Sequence, residues 1–109
     1  MIVRIWRGAA KGAAAEAYFR HVTGKVFPEL AAIAGHRGAY LLRRETDEGT
    51  EFLAVTLWQS PEAIRAFAGA EEETAVVEPA ARALLADFDD FARHYELAFG
   101  APPCCGAGG

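Results

Sequence analysis

His21, His36 and His94 are the side chains of this 109-residue chain that titrate near neutral pH without help from their surroundings. His94 stands out among them. It lies in the alternating stretch Phe91-Ala92-Arg93-His94-Tyr95-Glu96-Leu97, between a guanidinium and a phenol. A neutral imidazole so placed is a candidate catalytic base, and Tyr40, Tyr95, Arg43 and Trp58 are candidate donors to a developing oxyanion. Base and donors together suit proton abstraction from an activated small molecule. The plainer role for His94 is partial exposure on an edge strand or at a dimer seam.

Trp6 and Trp58 fall near the ends of two apolar stretches, where an indole N–H can meet a ligand inside a pocket. With Tyr40, Arg43 and Phe67 they form the candidate substrate-binding set. Core or interface packing is the alternative for the tryptophans, and packing on a sheet is the alternative for Phe67 and Tyr18. Arg43 and Arg44 are consecutive, so one points to each side of a strand. A surface ion pair with Glu45 or Glu51 competes with anion binding there. Glu71, Glu72 and Glu73 read as a solvated acidic loop.

Cys104 and Cys105 are adjacent and are the chain's two cysteines. As a candidate metal site they suit a soft ion such as Cu(I), Hg(II) or As(III). They are too few to close a tetrahedral zinc site without a second copy. The alternative is a tail without function, with thiols open to oxidation. No phosphate-binding glycine loop or Ser/His/Asp pattern is present.

The elements that must position these groups follow from periodicity. Residues 2 to 7 alternate as a strand. Phe19, Val22, Val26, Leu30 and Ile33 recur every three or four residues, predicting a helix over 13–34 that Pro28 kinks or splits. Residues 37–45 and 51–58 read as strands joined by a hairpin turn through Asp47-Glu48-Gly49. Ser60-Pro61-Glu62 is an N-cap, a first-position proline and an acid at the positive end of the dipole, so a helix is expected over 61–68, ended by Gly69. A helix interrupted near Pro79 is expected over 74–86, and a last strand over 88–99. Residues 100–109 carry no packing pattern and are expected to form a flexible tail beside a single domain of residues 1–99.

The order β-α-β-β-α-β is the ferredoxin-like α+β arrangement, with the helices on one face of an antiparallel sheet. Leu53, Val55 and Leu57 alternate with Phe52, Ala54, Thr56 and Trp58, so both faces of that strand are apolar. Helices cover one face. A second copy of the sheet is the simplest cover for the other, and a homodimer through the sheet face is expected. A net charge of −4 without a basic stripe argues against nucleic acid. No apolar run reaches the ~20 residues that span a bilayer. The N-terminal residues lack the layout of a signal peptide, and a cytoplasmic protein is expected.

This element order, with Leu57-Trp58-Gln59-Ser60-Pro61-Glu62-Ala63-Ile64, resembles the dimeric α/β-barrel superfamily and within it the antibiotic biosynthesis monooxygenase-like family. The stretch Phe91 to Leu97 is similar to the terminal strand of small bacterial members. The resemblance spans residues 1 to about 99. It implies a small-molecule-binding homodimer that oxidises an aromatic or quinone-like substrate with molecular oxygen and no cofactor. Haem-degrading members carry an asparagine on the first strand, a tryptophan in the second helix and a histidine just after it. Here the first strand has Arg7 and no asparagine, Phe67 falls at the tryptophan position, and no histidine lies between His36 and His94, so haem degradation is not implied. A non-enzymatic ligand-binding or stress-related dimer of the same fold, and soft-metal handling through the tail cysteines, are the other expectations.

Overall fold

A computed structural model describes residues 1–69, 75–77 and 79–101. The expected acidic loop at Glu71–Glu73 and the Cys104–Cys105 pair lie outside the described residues. Five strands form one antiparallel sheet: β1 (Ile2–Ala10), β2 (His36–Thr46), β3 (Gly49–Trp58), β4 (Asp87–Phe88) and β5 (Arg93–Glu96). Their order across the sheet is β2-β3-β1-β4, with β5 also on β1. The helices α1 (Ala13–His21), α2 (Phe27–Ala31), α3 (Pro61–Ala68) and α4 (Pro79–Leu84) pack on one face. This is the expected ferredoxin-like α+β fold.

β1 and β3 are rich in β-branched and aromatic residues and pair over nine positions, from Ile2 opposite Trp58 to Ala10 opposite Thr50. Because side chains alternate, this register sends Arg4, Trp6, Ala54, Thr56 and Trp58 to the helix side. Two clusters fill that side. Tyr18, Val22, Phe52 and Ala81 form one, with Ala10, and Leu30, Trp58, Ala63 and Ile64 form the other. On the opposite face Val3, Ile5, Leu53, Val55 and Leu57 are half-buried, and Tyr40, Leu42 and Tyr95 are exposed. A charged group interrupts this apolar face. Arg7 Nε and Arg44 Nε each lie 2.7 Å from a Glu51 carboxylate oxygen. Arg7 first, and Arg44 second, hold that carboxyl below its ordinary range.

The expected helix over 13–34 is divided. After α1 the chain widens into a π-turn at Val22–Val26, where the N–H of Phe27 donates to the carbonyl of Val22. Pro28 follows at the start of α2, a position that tolerates its missing N–H. α2 ends at Ala31, and Gly35 turns the chain into β2. The last strand is also divided. β4 pairs with Gly8 and Ala9, and β5 pairs with Ile2 to Ile5. Between them Asp89 is held by its N–H to the Arg7 carbonyl and by its carbonyl to the Trp6 indole. Pro79 opens α4 and does not interrupt a longer helix, since residues 75–77 are not helical. α3 forms as predicted, with Ser60 Oγ accepting from the Ala63 N–H at 3.3 Å and Gly69 at its end.

Gly35 has φ of 91°, and a Cβ there would lie 2.5 Å from the Ala63 Cβ. Gly69 has φ of 85° with open space around it. Gly35→Ala should therefore lower stability by about 2 kcal/mol or more, through strain plus collision, and Gly69→Ala by less, through strain alone. Urea denaturation of the two variants checks the order.

Candidate active site

The register of β1 and β3 leaves a gap between the sheet and the helices. Arg4, Trp6, Ala54 and Thr56 floor a cavity of about 90 Å3, roofed by Tyr18 of α1, Val22 and Val26 of the π-turn, Leu30 of α2 and Phe67 of α3. The walls are mainly apolar. Among the described lining residues the polar side-chain groups are the Arg4 guanidinium, the Tyr18 and Thr56 hydroxyls and the Trp6 indole N–H.

Arg4 is only 4% exposed. Its Nη1 lies 2.8 Å from His94 Nε2 on the neighbouring strand β5, where the two residues are register partners. An arginine is always protonated and can only donate, so Nε2 accepts and the imidazole proton sits on Nδ1. The guanidinium also lies over the Phe67 ring, 5.7 Å from its centre. Phe67 in turn stacks on Trp58 at 5.7 Å and 20°. The Trp58 indole N–H donates to Thr56 Oγ1 at 2.8 Å. A chain of contacts thus runs from Trp58 through Phe67 and Arg4 to His94.

Two further groups are fixed by their surroundings. Trp6 Nε1 donates to the Asp89 carbonyl at 2.7 Å, which pins the indole against the cavity. The Tyr18 ring packs against Phe52 at 4.9 Å, and burial pushes its phenol up to about 12. At neutral pH Tyr18 is therefore a hydrogen-bond donor and not a base.

The structure gathers some of the sequence candidates and separates others. Trp6 and Phe67 line the cavity. Trp58 is fully buried behind Thr56 and Phe67. His94 stands behind Arg4. Tyr40 is 59% exposed on the opposite face, because its partner in register is Val55. Tyr95 is on that same outer face, opposite Val3. Arg43 is on the helix side but at the far end, over the Phe19 ring at 4.9 Å. It borders a separate polar cleft with Glu16, Glu45 and Thr50. His36 meets Trp58 edge-on at 5.0 Å, and its Nε2 is buried with no hydrogen-bond partner among the described residues. Arg4, Tyr18 and Thr56 are site residues that the sequence candidates did not include. Arg4 had a signal: it lies two residues from Trp6 in an alternating strand and so shares its face. No group of three His, Cys, Asp or Glu among the described residues is placed to hold a metal.

A sheet of this order, with helices over one face and a mainly apolar cavity beneath them, defines the ferredoxin-like α+β class. Residues 1–79 match the model of the antibiotic biosynthesis monooxygenase family, and the chain belongs to that family. Solved structures agree on the fold. SnoaB, a cofactor-independent oxygenase from Streptomyces nogalater, is 20% identical with a TM-score of 0.64, over 94% of this chain and 97% of that one. The ActVA-Orf6 monooxygenase of Streptomyces coelicolor, solved with nanaomycin D, is 21% identical with a TM-score of 0.67, over 94% and 91%. Rv0793 from Mycobacterium tuberculosis is 19% identical with a TM-score of 0.61, over 93% and 98%. No curated protein matches the sequence. No helix among the described residues is long and apolar enough to cross a membrane.

Burial lowers the proton affinity of His36 in the folded state. The unfolded chain therefore binds more protons in acid. The stability that His36 contributes is complete above its unfolded value of about 6.5 and is lost as the pH falls below it. Urea denaturation at pH 7.5 and pH 5 should show a smaller acid loss in His36→Gln than in the parent. An equal loss in both would refute the assignment.

Proposed function

We propose that the protein is a cofactor-independent monooxygenase of an electron-rich aromatic or quinol-type small molecule, working as a homodimer. The cavity carries this reading. Trp6, Tyr18 and Phe67 offer aromatic surface to a flat ring, and Val22, Val26 and Leu30 add apolar wall beside it. A reaction through a substrate carbanion needs such a site, because water would quench the anion before oxygen reached it.

The chemistry balances without a cofactor when the substrate supplies all the electrons. An activated ring CH2 loses a proton, and the delocalised carbanion reduces and then captures O2. The resulting peroxide loses water and leaves a carbonyl. One oxygen atom stays on the product, the other leaves as water, and the carbon is oxidised by four electrons. In this reading Tyr18, which lines the cavity and which burial keeps protonated, donates to the substrate oxygen on which charge builds up. Membership of a monooxygenase family supports this reading, as does the shared fold with SnoaB, described as a cofactor-independent oxygenase.

The outer sheet face supports the dimer reading. Tyr40, Leu42 and Tyr95 are each at least half exposed beside half-buried Val3, Ile5, Leu53, Val55 and Leu57. A contiguous apolar face of this kind on a small domain calls for a partner, and a second copy of the same face satisfies it by two-fold symmetry.

Incubation with anthrone- and hydroquinone-type compounds under 18O2 should give a product carrying one labelled oxygen, with no added cofactor. Absence of enzyme-dependent oxygen uptake across such a panel would end the oxygenase proposal. In size-exclusion chromatography with light scattering the parent should have twice the chain mass, and Leu42→Glu should shift it to the monomer. A monomeric parent would end the dimer proposal.

A further inference from the structure

We infer that the cavity admits a single aromatic ring, and that Ala54 on its floor is the residue that sets this limit. The inference rests on the oxygenase proposal for the aromatic character of the ligand, and it names the substrate as a one-ring phenol or hydroquinone rather than a fused polycycle. The space between sheet and helices measures about 90 Å3. An apolar cavity of about 150 Å3 is enough to hold benzene. One ring therefore fills the space and reaches its mouth, and a second fused ring finds no room on the floor. A one-ring phenol also supplies the ring CH2 of the reaction above, through its keto tautomer. For phenol itself, loss of a CH2 proton, capture of O2 and loss of water leave an ortho-quinone, with one oxygen atom kept and the other lost as water.

The floor explains both the space and its size. Ala54 lies opposite Trp6 on β1 and Leu41 on β2, with Phe52 and Thr56 beside it on the same face of β3. Each of these four is larger, and the alanine side chain ends at Cβ. The cavity is the volume that Ala54 leaves open among them. Its borders are fixed. Trp6 is tied to the Asp89 carbonyl, Tyr18 packs on Phe52, and Thr56 accepts from the Trp58 indole. Val22 and Leu30 are each 4% exposed and belong to the two core clusters. Close-packed walls of this kind resist enlargement. Val76, which also lines the cavity, is 46% exposed and marks its mouth.

The test is a titration under nitrogen with phenol and with 2-naphthol, followed by the indole N–H signal of Trp6 in the 15N-labelled protein. Oxygen is absent, so binding is read without turnover. The chain has two tryptophans, and Trp6→Phe assigns the signal. Phenol should move it saturably. 2-Naphthol, although more hydrophobic, should bind about tenfold more weakly or worse, as overfilling a packed interior demands. Ala54→Val adds two carbons to the floor with a side chain that strands favour. It should weaken phenol binding about tenfold or more and leave the melting temperature at or above that of the parent. Val26→Ala opens the roof instead and should raise the affinity for 2-naphthol relative to phenol. Binding of 2-naphthol to the parent as tight as that of phenol, no response of Trp6 to phenol, or unchanged phenol affinity in Ala54→Val would overturn the inference. The parent decides the ring count whether or not a variant folds. One-ring binding without oxygen uptake by any compound would sink the oxygenase proposal and spare this one; oxygen uptake with anthrone-type but not hydroquinone-type compounds would do the reverse.

Discussion

The pairing of β1 with β3 decides which side chains meet the helices. Side chains alternate along a strand, so all nine pairs belong to one register, and a slip of one residue would turn every side chain of one strand to the other face. In the observed register Arg4 and Trp6 lie on the helix side and Val3, Ile5 and Arg7 on the other. The register is strongly specified, because a one-residue slip that turned β3 over would place Glu51 under the helices and Trp58 in the open, and one that turned β1 over would place Arg7 under the helices. Both apolar clusters, the cavity between them and the uncovered outer face follow from it.

Within that frame the cavity is an assembly of rigid pieces. Trp58 supports Phe67, Phe67 lies against Arg4, and Arg4 meets His94 across the strand pair. Burying a guanidinium costs several kcal/mol unless its donors and faces find partners. The aromatic ring and the imidazole supply two. The far side is held by a backbone contact, since Asp89 orients Trp6 through its carbonyl and is tied to Arg7 through its N–H. The break between β4 and β5 is therefore part of the site. An unbroken strand would leave no carbonyl at that point for the indole.

Much of the architecture was legible in the residues. Ser60-Pro61-Glu62 fixes the start of α3 through local hydrogen bonding, and a local signal needs no tertiary context. The hairpin and the two-faced β3 were legible for the same reason. The divided first helix was only half legible: Pro28 announced an irregularity, but its form, a π-turn five residues long, depends on how Val22 and Leu30 both reach the core. The site was the least legible. Tyr40 and Arg43 are plausible donors by type, yet their positions on the sheet exclude them from the cavity. Arg4 is hard to single out in the sequence because an arginine in an amphipathic strand usually faces water. Its burial arises from the long-range pairing with Thr56 and His94, 52 and 90 residues away.

The π-turn bears on how this site changes through evolution. A widened turn holds one residue more than the α-helix would, and an α-helix advances about 100° per residue. Deleting a single residue between Val22 and Val26 would let the turn relax to regular helix and rotate everything after it by about that angle relative to α1. Val26 and Leu30 would then leave the roof of the cavity together. Descendants of this sequence can thus reshape the roof in one step, by a change of length that no survey of point substitutions would reveal.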